Sequence, residues 1–103
     1  GESSQPQFKY VELWMLPPTN GGAAHLAVGI RNAEAKTQRF DLEITLDDQP
    51  LAVFRSLALA PGDTWTREIP VSIATTAQKA KARLYRSDDN RLYRSVSALV
   101  PSG

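Results

Sequence analysis

Three features of the sequence predict an all-β fold, a sandwich of seven antiparallel strands. Apolar and polar residues alternate with the two-residue period of a strand, most cleanly over 39–46. Turn formers punctuate the chain at intervals of roughly 8–14 residues, the spacing of a sandwich or barrel. No strand pattern is followed by a helical one, which argues against a parallel sheet with crossover helices.

The first strand is predicted over 8–15, with Phe8, Tyr10 and Trp14 in one phase and Val11 and Leu13 in the other. Pro17-Pro18 and Asn20-Gly21-Gly22 end it. The second, over 24–32, sets Leu26, Val28 and Ile30 against His25, Ala27, Gly29 and Arg31, and a polar connection over 32–36 follows. In the third, Phe40, Leu42, Ile44 and Leu46 alternate without exception with Arg39, Asp41, Glu43 and Thr45. A helical frame there would bring Glu43 and Asp47 onto the apolar side, so the strand period wins. Asp47-Asp48-Gln49-Pro50 reads as a turn, because short polar side chains tolerate its backbone angles and proline cannot pair in mid-sheet.

A fourth strand over 51–59 reads as an edge, its apolar side interrupted by Arg55. Ala60-Pro61-Gly62-Asp63 is the next turn, where proline presets the bend and glycine permits a positive φ. The fifth strand, over 64–71, carries Trp65, Ile69 and Val71 in phase, which gives Trp65 a core role. Helix propensity competes over 74–84, which is rich in Ala and Lys. Ala80, Ala82 and Leu84 nevertheless alternate with Lys79, Lys81 and Arg83, so a strand is predicted over 79–86. Asp88-Asp89-Asn90 turns the chain into a last strand over 92–100. The architecture expected is immunoglobulin-like, without the Cys-Trp-Cys signature of antibody domains and without a disulfide.

With 103 residues the chain suits one domain, expected over 8–100 with a flexible lead or expression remnant at 1–7 and a tail at 101–103. The start at Gly1-Glu2 without an initiator methionine reads as a domain cut from something larger. There is no cysteine, so thiol catalysis and Cys-based zinc sites are excluded. No apolar run approaches the ~18–20 residues of a membrane span. A net charge of +1 argues against nucleic-acid binding by the domain as a whole. The charge is unevenly placed: residues 1–78 hold six basic and nine acidic side chains, while 79–103 hold six basic and two acidic ones.

Several strings resemble an uncharacterised family of prokaryotic membrane proteins that carry an extracytoplasmic β-sandwich near the C-terminus. They are Val28-Gly29-Ile30-Arg31-Asn32-Ala33-Glu34, Phe40-Asp41-Leu42-Glu43-Ile44-Thr45-Leu46-Asp47, Leu59-Ala60-Pro61-Gly62-Asp63-Thr64-Trp65, and Leu84-Tyr85-Arg86 with Leu92-Tyr93-Arg94-Ser95. The family usually has proline where Leu92 stands. The resemblance spans most of 24–100 and implies a place outside the cytoplasm, attached to a membrane-embedded neighbour. It implies no catalytic residue.

Few residues invite chemistry. His25, on the polar phase of its strand, has no serine nucleophile motif near it and reads as an exposed strand histidine. Asp41 and Glu43 read as the solvated face of a half-buried sheet, and Asp47-Asp48 and Asp88-Asp89 as turn residues, without the ligand count calcium needs. No metal, no cofactor and no enzymatic activity are expected. The most informative feature is a repeat, Arg83-Leu84-Tyr85-Arg86-Ser87 and Arg91-Leu92-Tyr93-Arg94-Ser95, on the two arms of one predicted hairpin. Arginines beside tyrosines can hold a carboxylate or phosphate by paired hydrogen bonds and stacking; the competing reading is a solvated face whose Arg stems cover apolar surface.

The expectation is therefore a non-catalytic accessory module of a membrane-associated extracytoplasmic protein, monomeric as an isolated domain. Its partner is expected to be an acidic glycan or another protein. The ligand-binding residues expected are Arg83, Tyr85, Arg86, Arg91, Tyr93 and Arg94, with Trp14 as an aromatic that can be partly exposed. A β-sandwich protease inhibitor is the rival, and it would present an exposed loop at 15–23 or 60–64.

Overall fold

The computed structural model describes residues 10–18, 24–72 and 74–102. It contains β1 (Val11–Leu16), β2 (His25–Asn32), β3 (Gln38–Leu46), β4 (Gln49–Leu59), β5 (Thr64–Pro70), β6 (Gln78–Arg86) and β7 (Leu92–Val100). There is no helix among the described residues, and 78–86 is strand throughout. The alternation of Ala80, Ala82 and Leu84 therefore prevails over local propensity. All three are fully buried, and tertiary burial outweighs the fraction of a kcal/mol per residue that propensity supplies.

The strands form two antiparallel sheets, one of three strands in the order β1-β2-β5 and one of four in the order β4-β3-β6-β7. Each sheet turns one face to a shared core. Val11, Leu26, Val28, Ile30 and Ile69 come from the first, and Phe40, Leu42, Ile44, Leu59, Ala80, Ala82, Leu84 and Val100 from the second. At one open side β1 lies beside β7, and at the other β4 approaches β5. Phe54 and Trp65 close that second side with ring centroids 5.0 Å apart, and Arg67 spans both rings. Trp65 is thus packed on the margin of the core.

Two local features depart from their expected form. The reversal between β3 and β4 uses only Asp47 and Asp48, with φ of 48° and 65°. Two consecutive positive φ values define the tight hairpin turn whose twist matches that of the flanking strands. Gln49 and Pro50 already belong to β4, Pro50 opposite Thr45 at a shift of register. An edge strand tolerates proline there because one side of its backbone has no ladder partner. The second departure is a bulge in β4: Leu57 pairs with Phe40 and Phe54 with Leu42, so Arg55 and Ser56 together face Asp41. Ser56 takes φ 55°, and the Asp41 carboxylate accepts its N–H at 2.9 Å. The bulge swaps the inward phase from 52 and 54 to 57 and 59, which lets Leu57 and Leu59 reach the core although Arg55 points to solvent.

Candidate functional site

The hairpin of β6 and β7 carries six of the seven residues singled out. Its turn closes through Asn90 N–H to the Arg86 carbonyl at 2.8 Å, with Asn90 at φ 56°. The Asp89 carboxylate accepts the Arg91 N–H at 3.1 Å. The two copies of the repeat do not occupy equivalent places. Leu84 pairs with Arg94, yet Tyr85 pairs with Leu92, so Tyr93 is the extra residue of a bulge. Tyr85 stays on the outward phase beside Asp41. Tyr93 instead turns in, its ring 6.4 Å from that of Phe40. Leu84 is fully buried, whereas Leu92 is 55% exposed.

This asymmetry divides the arginines. Arg83 projects outward from β6 and sits 3.7 Å from Glu43, its partner across the sheet. Arg86 lies over the Tyr93 ring, 4.4 Å from its centroid, and holds Glu34 at 2.9 Å. Hydrogen bonding to Tyr93 is the largest influence and raises the Arg86 guanidinium above its ordinary range; burial opposes it, and the nearby Glu34 charge adds to the rise. Arg94 lies 5.3 Å from the same ring centroid. No carboxylate among the described residues stands within ion-pairing distance of it, and the same holds for Arg91 at the end of the turn. The structure thus gathers Arg86, Tyr93 and Arg94. Arg83 and Tyr85 fall on the other face of β6, and Arg91 stands apart in solvent.

Trp14 is not part of this group. It lies in the three-stranded sheet, directly opposite Gly29.

Beside Arg94 runs a groove of about 410 Å³ between the two edge strands, lined by Tyr10 just ahead of β1, by Val11, Glu12 and Leu13 from β1 and by 93–96 from β7. Such a volume falls in the range of small-ligand clefts. Glu12 is already engaged: it accepts the Tyr10 hydroxyl at 3.1 Å and stands 3.7 Å from Arg31. The uncommitted charge of the groove is therefore Arg94. A guanidinium held against a phenol ring keeps its donor edge available to a planar acid.

The residues that fix this geometry were outside the expected set. Glu34 fastens Arg86, and Gln38 donates to Glu34 at 3.0 Å. Asp41 accepts the Ser87 hydroxyl at 3.0 Å and so ties the hairpin turn to β3. Glu34 is 52 residues from Arg86 and Asp41 is 46 from Ser87, and no local pattern announces pairs so distant. Of the two stretches expected to serve a protease inhibitor, 60–64 holds a turn closed by Asp63 N–H to the Ala60 carbonyl at 2.9 Å. The other lies partly outside the described residues. Comparison with protein-family models and with curated proteins finds no match to this chain.

Proposed function

We propose that this domain is a non-catalytic interaction module that binds an acidic glycan in the groove between β1 and β7. The observation that carries the reading is Arg94, a guanidinium set on the Tyr93 ring at the lip of that groove and lacking a carboxylate among the described residues. Arg86 braces the same ring from a position spent on Glu34. A uronate fits this division: its carboxylate takes the donors of Arg94, and its ring lies along the tyrosines of the groove. The module is of the immunoglobulin-like class, supported by the strand orders β1-β2-β5 and β4-β3-β6-β7. It differs from the constant antibody domain in that β4 joins the sheet of β3. Its place outside the cytoplasm, on a membrane-associated parent, rests on the sequence resemblance over 24–100.

Titration of the labelled domain with a galacturonic acid hexamer tests the reading. The amides of 11–13 and 93–96 should shift first, the response should weaken as salt passes about 0.15 M, and Arg94→Ala should abolish it. Equal shifts from a neutral hexamer, or none from the acidic one at low salt, would sink it.

A further inference from the structure

On the three-stranded sheet, Trp14 and Gly29 face each other across β1 and β2. A β-carbon placed on Gly29 would overlap Cζ2 and Cε2 of the Trp14 indole and come within 2.7 Å of Nε1. Three ring atoms so near one point above the strand mean that the indole lies across Gly29, flat on the sheet. Any larger side chain at 29 would lift the ring edge-on. The face of the ring away from Gly29 is turned outward, and Trp14 is partly exposed while Gly29 beneath it is buried. No other aromatic ring or guanidinium stacks on the indole among the described residues.

Polar groups border the ring in the register of the sheet. One row along, Glu12 stands opposite Arg31, paired at 3.7 Å with both side chains well exposed, 38% and 49%. Ahead of the ring, Thr66 stands opposite Gly29 on β5 and is exposed. A flat indole with planar hydrogen-bonding groups at its margin matches a pyranose, whose axial hydrogens make an apolar face while its hydroxyls project around the rim.

We propose that the Trp14–Gly29 platform is a saccharide site, taking the apolar face of a neutral β-linked pyranose on the indole and its hydroxyls on Glu12, Arg31 and Thr66. It lies on the outer face of the three-stranded sheet, shares Glu12 with the rim of the groove at Arg94, and does not depend on acidic recognition there. A flat, open platform suits a flat chain, so the probe is cellopentaose. Followed by the indole and amide resonances of the intact domain, the Trp14 indole and the Gly29 and Thr66 amides should move with ligand while the Trp65 indole stays in place. Trp14→Ala should weaken binding at least about tenfold, the loss of one stacked ring. Trp14→Phe should fall between, and Gly29→Ala should reproduce the loss by tipping the ring. A Trp14 indole that does not move at about 20 mM saccharide, beyond the weakest useful affinity, overturns the proposal on the unmodified protein alone. So does a folded Trp14→Ala that binds as the parent does.

Discussion

The side-chain amide of Asn32 donates a hydrogen bond of 2.8 Å to the carbonyl of Leu59, joining the end of β2 in one sheet to the end of β4 in the other. The same nitrogen donates to the Lys36 carbonyl at 3.0 Å, and its oxygen accepts the Glu34 N–H at 2.9 Å. The backbone of Asn32 exchanges bonds with Asp63 and Gly62 in the turn after β4. Asn32 is fully buried, so each of these groups would lose its partner to no compensating water. Because the bond to Glu34 N–H holds the chain that carries Glu34, Asn32 also positions the acid that fastens Arg86.

Asn32→Ala should therefore destabilise the domain by about 2–4 kcal/mol, from several buried groups left unpaired. Asn32→Asp should be at least as damaging at neutral pH, because a carboxylate cannot donate to the two carbonyls it would face. Chemical denaturation of both variants measures this. A cost under about 1 kcal/mol for Asn32→Ala would show that the link between the sheets is not held by this side chain.

Leu42→Ala should cost about 2–5 kcal/mol through lost burial and a cavity, since Leu42 is fully buried between β4 and β6. Glu43→Ala, on the solvent phase with a 3.7 Å contact to Arg83, should stay within about 0.5 kcal/mol. Similar costs for the two would mean that the inward phase of β3 is misassigned.

How much of this was legible in the sequence depends on the range over which each feature acts. The phase of β3 is visible because Phe40, Leu42 and Ile44 alternate locally, and the period of β6 is visible for the same reason. The bulge in β4 is hidden, because Ser56 adopts its positive φ without a glycine to announce it. Asn32 looked like the start of a polar connection, since its partner Leu59 lies 27 residues on. The repeat around Tyr85 and Tyr93 puts the same five residues on both arms of the hairpin. A one-residue bulge in β7 instead turns one tyrosine out and the other in, and alternation along β6 separates Arg83 from Arg86, so four arginines expected to act together are split between two faces and a turn.

That split separates the roles of Arg86 and Arg94. Arg86 is bound to Glu34, whose side chain is 11% exposed, and removing Arg86 leaves that carboxylate nearly buried with its cation gone. Arg86→Ala should lower stability by roughly 1–3 kcal/mol through the unpaired acid. The raised Arg86 pKa makes no difference near neutrality, because its contribution is fully present below the ordinary arginine range and is lost only as pH rises through the still higher folded-state value. Arg94 is exposed, and among the described residues its guanidinium has a ring contact with Tyr93 and no carboxylate partner, so Arg94→Ala should stay within about 0.5 kcal/mol. Thermal melts of the two single variants and of the variant that also carries Glu34→Gln resolve the matter. Replacing the acid should recover most of the loss in Arg86→Ala, since no buried charge is then left unpaired. If Arg94→Ala proves the more destabilising of the two, the guanidinium at the groove is a structural brace, and the division between a fixed and a ligand-free arginine on one tyrosine ring does not hold.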